Sequence, residues 1–207
     1  MEDNRKSTID LLILQLKNSF LLTDSEGAEI LGEKSFECAY SRTLRSLRGG
    51  ASKYFSGDLN PFNTVQYCMF LYFFSNELSD SNLQLADKVY YLNKMLNAVD
   101  LYHEIKLPDV WGCEHPLGAV MGKAKYGERF FFYQGCTVGG NRKNGELFYP
   151  EIGEDVMMYS NSKILGNSVI GNRVILSANT YIINSIIPDD VIVFGSSPDL
   201  VIKERHE

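Results

Sequence analysis

The stretch IGEDVMMYSNSKILGNSVIGNRVILSANTYI, residues 152–182, decides the fold because it repeats every six residues. An aliphatic residue or Met returns at each sixth position: Ile152, Met158, Ile164, Ile170, Leu176 and Ile182. A second set lies four positions after the first five of these: Val156, Ser162, Ser168, Val174 and Thr180. A helix repeats about every 3.6 residues and a strand every two, so neither restores one residue type at each sixth place. The pattern predicts a β-helix, in which each flat face points one aliphatic side chain into a shared core.

Turn residues recur where such a coil must change direction. They are Gly166-Asn167, Gly171-Asn172, Asn179 and Asn184. Gly and Asn tolerate the positive φ angles that tight turns require. A sandwich of short strands is the alternative, but sandwich strands seldom keep one fixed repeat. We therefore expect three faces to close each coil.

Composition and charge restrict the partners of the chain. Its 207 residues are 44% hydrophobic and carry a net charge of -6, which allows two modest domains. This acidic balance, without a Lys/Arg block, argues against nucleic acid and anionic membranes and favours small-molecule partners. The apolar run at residues 65–74 is shorter than the ~20 residues that span a bilayer.

The four cysteines form neither a CxxC pair nor a cluster with the three histidines. This arrangement predicts reduced thiols and no metal site. The polar N-terminus, MEDNRKSTID, does not have the pattern of a signal peptide. Together these features predict a cytoplasmic protein.

The chain changes character near residues 97–101. Residues 1–98 are predicted to be α-helical, with helices at 65–78 and 83–96, a helix start at 59–61 and a break at Gly49-Gly50. An opening helix carries Ile9, Leu12, Ile13 and Leu16 on one face. Residues 99–207 are predicted to form the solenoid. The fold class is therefore α+β by domain, with helices that cap the solenoid or form an oligomer contact.

The three histidines are the candidate chemical groups. His206 lies in the C-terminal tail and is expected to be inert, and His103 lies where the first coil begins. His115 lies within the coils in CEHPLG, residues 113–118, and Asp100 precedes it by fifteen residues, close to one turn of the solenoid. A carboxylate on one imidazole nitrogen leaves the other free to take a hydroxyl proton. A structural hydrogen bond between the two residues is the alternative.

At these residues the sequence resembles the serine acetyltransferase family of hexapeptide-repeat acyltransferases. The resemblance covers about residues 99–203 and rests on four motifs in matching order: VDLY at 99–102, CEHPLG at 113–118, GCTVGG at 135–140 and KILGN at 163–167. The ending FGSSPDLV, residues 194–201, also resembles the Gly-x-Pro-Ala tail of many such enzymes, with one extra residue.

The resemblance implies a left-handed parallel β-helix, an exception to the right-handed crossover rule. It also implies a homotrimer with acetyl-CoA, as co-substrate, in clefts between subunits, and trimers that can pair through the helical domains. By position, His115 matches the general base and Asp100 the carboxylate that orients it. Gly140 matches the glycine beside the thioester, with Gly139 contributing to an oxyanion site. Ser160 and Ala178 match positions that contact the coenzyme arm.

The departures from the family fall on the acceptor side. The family holds the serine carboxylate with an Arg-His pair, whereas this chain has Phe148-Tyr149 before Pro150, so no cation is expected there. Glu114 replaces the family's Asp, which holds the serine amino group. The acceptor therefore stays open between L-serine and a hydroxyl or amine on a sugar or nucleotide-sugar, with a silent structural trimer as a third hypothesis.

Two further segments differ from the family and leave alternatives open. The run Phe130, Phe131, Phe132 and Tyr133 cannot point wholly inward, and it contacts a subunit neighbour or forms a stacking platform for a sugar or nucleotide. The loop at 141–150 carries Arg142 and Lys143, which form a solvated tip or contact CoA phosphates.

Overall fold

A computed structural model describes residues 4–32, 34–50 and 55–205. The described residues divide into two compact units. The first comprises those of residues 1–97 together with Leu101–Glu104, and the second comprises Ala98–Asp100 and those of residues 105–207. His206 and the rest of the predicted tail after Arg205 lie outside the described residues.

Helices build the first unit. Their bounds are α1 Asn4–Ser19, α2 Asp24–Leu31, α3 Lys34–Gly49, α4 Thr64–Leu78 and α5 Leu83–Asn97. The predicted helix start at 59–61 is wrong: α4 begins at Thr64 because the Asn63 side chain accepts hydrogen bonds from the first free N–H groups, those of Val65 and Gln66. None of the described helices combines the length and apolarity that crossing a bilayer requires.

The apolar faces of the helices form the core of the first unit. On α1, Leu12 and Leu16 are fully buried. Helix α4 is buried along most of its length, and its Phe70 and Phe74 rings stack with centroids 5.8 Å apart. Phe36 of α3 packs edge-on against Phe70. The helical prediction for this half is therefore confirmed.

Short parallel strands build the second unit as a three-faced solenoid. The first face holds β1 Trp111–Cys113, β4 Phe130–Phe132, β9 Met157–Met158, β12 Ile175–Leu176 and β15 Val191–Ser196. The second holds β2 Val120–Met121, β5 Thr137–Gly139, β10 Lys163–Leu165 and β13 Tyr181–Ile183. The third holds β3 Lys125–Tyr126, β8 Glu151–Ile152, β11 Val169–Ile170 and β14 Ile186–Ile187.

Two antiparallel additions complete the solenoid. Strand β16, Asp199–Glu204, pairs with β15. A hairpin of β6 Asn141–Lys143 and β7 Glu146–Phe148 lies in the chain between the second and third faces of one coil. We call the turn from first to second face the first corner, that from second to third the second corner, and that from third to first the third corner.

The six-residue repeat forms the core of the solenoid. Its aliphatic residues are no more than 5% exposed, and the second set is fully buried. The Thr180 hydroxyl in that set donates to the carbonyl of Val193 at 3.0 Å, so its polar group is satisfied inside the core. Burying each aliphatic side chain stabilises the coil by about 1.5 to 3 kcal/mol. The solenoid predicted from the repeat is confirmed.

The predicted turn residues meet two different requirements. Gly166, Asn179 and Asn184 have positive φ angles, as expected. Gly171 does not, and it is small for another reason: a Cβ atom there would lie 2.6 Å from the backbone nitrogen of Asp189 in the next coil.

Candidate functional site

His115 lies in a constrained turn at the first corner. It is an exposed, non-glycine residue with a φ of 49°, and its carbonyl accepts from Leu117 N–H at 2.8 Å. The next turn closes through Ala119 N–H to Pro116 O at 3.0 Å, with Gly118 at a φ of 73°. Non-glycine residues at positive φ are uncommon in proteins, and in this chain they recur at the corners of the solenoid. This turn presents the imidazole to solvent on a fixed backbone.

Asp100 lies next to the strand that follows this corner. Its N–H donates to Ala119 O at 2.8 Å, and it forms an isolated parallel bridge with Val120. The solenoid therefore places the backbones of Asp100 and the His115 turn in adjacent coils, as the spacing suggested. The roles of Asp100 as orienting acid and of His115 as base remain predictions.

Glu114 is half-buried beside His115, and Tyr133 of the next coil contacts it. Glu114 N–H donates to Phe132 O at 3.1 Å, which aligns the two coils, and the Tyr133 hydroxyl hydrogen-bonds the Glu114 carboxylate. Burial raises the pKa of Tyr133, and the hydrogen bond and negative charge of Glu114 raise it further. The phenol is therefore a neutral donor at physiological pH.

The aromatic run splits between core and surface, as its strand geometry requires. Phe130 and Phe132 are fully buried, whereas Phe131 and Tyr133 are half-buried on the outer side of the first face. The Tyr133 ring stacks on Tyr159 with centroids 5.2 Å apart and planes 14° apart. Tyr133 is thus packed against its own chain, and the subunit contact and the sugar platform stay predictions.

The predicted acceptor residues Phe148 and Tyr149 lie at the second corner with Gly139 and Gly140. A Cβ atom at Gly140 would lie 2.9 Å from Cε1 of Tyr149 and 3.1 Å from the Phe148 carbonyl oxygen, so the end of the hairpin packs closely on this glycine. Both acceptor residues are half-buried, and Gly140 is exposed.

A cation that was not among the predicted site residues lies beside Tyr149. Lys123 Nζ lies 4.9 Å from the Tyr149 ring centroid. Strand β2 pairs Met121 with Val138 of β5. If this pairing is extended by two residues, Lys123 lies opposite Gly140. None of the ion pairs among the described residues includes Lys123. The coil register is the signal that would have found it.

Ser160 and Ala178 lie on the first corner below the His115 turn. Asn161 N–H donates to Gln134 O at 2.8 Å, and Asn179 N–H donates to Ser160 O at 2.9 Å, so one corner position stacks above the next. Ser160 is half-buried and Ala178 exposed.

The structure thus distributes the predicted site over two corners. The first corner holds Glu114, His115, Ser160 and Ala178, and the second holds Gly139, Gly140, Phe148 and Tyr149. Both corners present side chains or exposed glycine to solvent along the edges of the second face.

His103, the other candidate histidine, belongs to the helical unit. It is fully buried, its Nε2 lies 3.0 Å from Asp87 Oδ1, and its ring lies 4.2 Å from that of Tyr102. These contacts are those of a packed structural histidine. Within residues 4–32, 34–50 and 55–205, no three His, Cys, Asp or Glu side chains are grouped to hold a metal ion.

Sequence comparison relates the chain to one group of curated proteins. No family model matches it. Serine acetyltransferase from Staphylococcus epidermidis is 30% identical over 115 residues, which are 55% of this chain and 53% of that protein. The chain therefore spans about half the length of the curated relatives it matches.

Solved structures agree on the fold. Serine acetyltransferase from Neisseria gonorrhoeae superposes on 100% of this chain and 81% of its own with a TM-score of 0.75 at 20% identity. Its complex with serine gives a TM-score of 0.67 at 18% identity, covering 97% of this chain and 84% of its own. A serine acetyltransferase in complex with CoA gives a TM-score of 0.73 at 20% identity, and the match covers 98% of this chain and 86% of that one.

The relatives of this chain are serine acetyltransferases. This similarity confirms the predicted fold class, helices followed by a left-handed parallel β-helix.

Proposed function

We propose that this chain is an acetyl-CoA-dependent O-acetyltransferase that acts on L-serine. The observation that carries the proposal is the exposed His115, held at positive φ beside Glu114 on a fold shared with serine acetyltransferases. The structural neighbours include one complex with serine and one with CoA, the two molecules that this reaction would use.

In the proposed reaction, His115 removes the proton of the acceptor hydroxyl, with Asp100 orienting the imidazole. The acceptor oxygen attacks the acetyl carbonyl of acetyl-CoA, backbone N–H groups near Gly139 and Gly140 stabilise the tetrahedral oxyanion, and the imidazolium returns the proton to the leaving thiolate. No covalent enzyme intermediate forms, and the chemistry requires no metal.

Charges at the two corners suit an amino acid acceptor. L-serine carries an ammonium and a carboxylate group, and we assign Glu114 to the first and Lys123 to the second. The absence of a cation in Phe148-Tyr149 was the argument for an uncharged sugar, and Lys123 beside Tyr149 removes it. The comparisons do not favour the sugar acceptor either.

A homotrimer accounts for the division of the site. The resemblance implies a trimer with acetyl-CoA in clefts between subunits, and we infer that the first corner of one subunit faces the second corner of its neighbour, so that Glu114 and Lys123 of different chains line one cleft. Acetyl-CoA would lie in that cleft along Gly140, Ser160 and Ala178. The cytoplasmic location and the pairing of trimers belong to the same proposal.

Release of free thiol from acetyl-CoA tests the function. We expect turnover with L-serine and a much higher KM for serinol, which keeps the hydroxyl and amine but lacks the carboxylate. Lys123→Met should raise KM for L-serine about tenfold through loss of a charge-assisted contact and leave KM for serinol unchanged.

Lys125→Met provides the matched control, because Lys125 is two residues away and paired with Glu151 at 2.7 Å on the third face. It should leave both KM values unchanged. Thiol release with a sugar or nucleotide-sugar but none with L-serine would contradict the proposed function.

A further inference from the structure

Tyr133 touches the predicted acceptor acid but takes no part in the proposed reaction. Its hydroxyl hydrogen-bonds the Glu114 carboxylate, and its N–H donates to Met158 O at 3.0 Å within the coil ladder. Strand pairing of Cys113 with Phe132 aligns Glu114 with Tyr133 one residue later. The pairing of adjacent coils therefore brings Tyr133 next to Glu114.

Neighbouring rings fix the phenol in place. Tyr159 stacks on one face of the Tyr133 ring, and the Phe131 ring lies 5.4 Å away at an interplanar angle of 56°. Gly112 leaves room for Phe131, because a Cβ there would lie 2.7 Å from Cδ2 of that ring. A phenol held on two sides loses little conformational entropy when its hydroxyl donates to a carboxylate.

We propose, building on the proposed function, that Tyr133 is a positioning residue that orients the Glu114 carboxylate toward the ammonium group of the acceptor. Glu114 has three side-chain torsions, and a free carboxylate on such an arm samples several positions. The hydrogen bond from Tyr133 selects one of them. A carboxylate has two oxygens with about four acceptor sites, so one oxygen bound to the phenol leaves the other for the ligand.

The chemistry of the pair specifies the acceptor as well. A carboxylate that accepts one hydrogen bond from a phenol still offers its second oxygen to a cationic partner. The acceptor class that fits is a primary ammonium compound with a nearby hydroxyl group. A neutral sugar hydroxyl would gain no charge pairing from this arrangement.

Steady-state kinetics of Tyr133→Phe test the proposal, since this variant keeps the ring stack and removes only the hydroxyl. We expect KM for L-serine to rise about tenfold while kcat and KM for acetyl-CoA stay within about twofold. Combining Tyr133→Phe with Glu114→Gln should cost no more than Glu114→Gln alone, because both changes break one interaction. Tyr181→Phe is the matched control on the second face and should leave all three constants unchanged.

An ultraviolet pH titration of the tyrosines detects the contact between Tyr133 and Glu114 in the absence of any acceptor. Glu114→Gln should lower the pKa of one phenol relative to the unmodified protein, and that transition should disappear in Tyr133→Phe. If L-serine is not acetylated but this transition moves, the proposed function fails while the contact stands. An unmoved transition, or an unchanged KM for L-serine in active Tyr133→Phe, would overturn the positioning role.

Discussion

The first and third corners of the solenoid contain the same kind of left-handed turn, but the residues in these turns have different roles. At the third corner the positive-φ residues are charged and pair between coils: Arg129 with Asp155, and Arg173 with Asp190. At the first corner the positive-φ residues are His115, Asn161 and Asn179 with Gly118 and Gly135, so none of them is an Arg or Asp that pairs with the next coil. One corner satisfies its own charges, and the other leaves Glu114 and His115 for a ligand.

This difference separates stability from binding. Ion pairs as exposed as those of the third corner contribute little to the stability of the fold, because water and salt screen them. The buried aliphatic repeat contributes several times more per residue. The coil is therefore held by its core, and its corners are free to carry either structural charges or a reactive histidine.

The largest effect is expected when the base is removed from the first corner. His115→Asn keeps a residue that tolerates positive φ but cannot accept the hydroxyl proton, so turnover with L-serine should fall by about 10²- to 10⁴-fold. The thermal transition followed by circular dichroism should not move. Asp155→Asn, a change at a positive-φ position of the third corner, should retain full activity. Wild-type turnover in His115→Asn would remove the histidine from the mechanism.

A smaller effect is expected when the first-corner backbone is strained. Gly135 has a φ of 66°, and a Cβ there would overlap the Asn161 side chain, so Gly135→Ala should destabilise the fold by about 2 kcal/mol. Gly145→Ala separates the two causes, because Gly145 has a φ of 85° but no atom within 4 Å of its Cβ position. Urea unfolding of both variants measures the difference. Equal losses would mean that the contact with Asn161 contributes nothing.

The smallest effect is expected from acid at the third corner. Hydrogen bonds from Arg129 and Arg173 lower the pKa of Asp155 and Asp190 respectively. A carboxyl group whose pKa is lowered in the folded state stabilises the fold at pH values above its unfolded pKa of about 3.9. This stabilisation is lost as the pH falls through the pKa of the folded state.

Melting temperatures measured from pH 6 down to pH 2 should therefore fall less steeply in Asp155→Asn/Asp190→Asn than in the unmodified protein. Salt at about 1 M should shrink the difference by screening these exposed pairs. If the melting temperatures of the two proteins fall equally with pH, the pKa values of Asp155 and Asp190 are the same in the folded and the unfolded chain, and the prediction is wrong.

The repeat made the solenoid predictable, because a core side chain at every sixth position fits no other regular structure. Ile164 and Leu176 are fully buried as expected. The predicted helix at 65–78 matches α4 to within one residue, but the start signal assigned to 59–61 lies before the helix, because the side chain of Asn63 caps it. Gly171 was assigned a turn role when the approach of the next coil explains it. Such close approaches depend on coils distant in sequence.

The site was predictable only in part. The turn at His115 and the neighbouring backbone of Asp100 followed from motif and spacing. Lys123 and the Tyr133 contact did not, because each depends on which residue of one coil lies over which residue of another. The inserted hairpin β6–β7 lies between Lys123 and Tyr149 in sequence and lengthens that coil, whereas the alignment of Glu114 with Tyr133 precedes it. Only the three-dimensional pairing of strands resolves it.

Gly112 has no side chain, and this limits which substitutions the protein can accept during evolution. Any larger residue there would displace the Phe131 ring, which lies against Tyr133, which in turn holds Glu114. A substitution at Gly112, two residues before Glu114, would therefore be expected to alter substrate preference although its own side chain does not contact the acceptor. Gly112 and Glu114 are expected to vary together among descendants of this chain, or to remain fixed together.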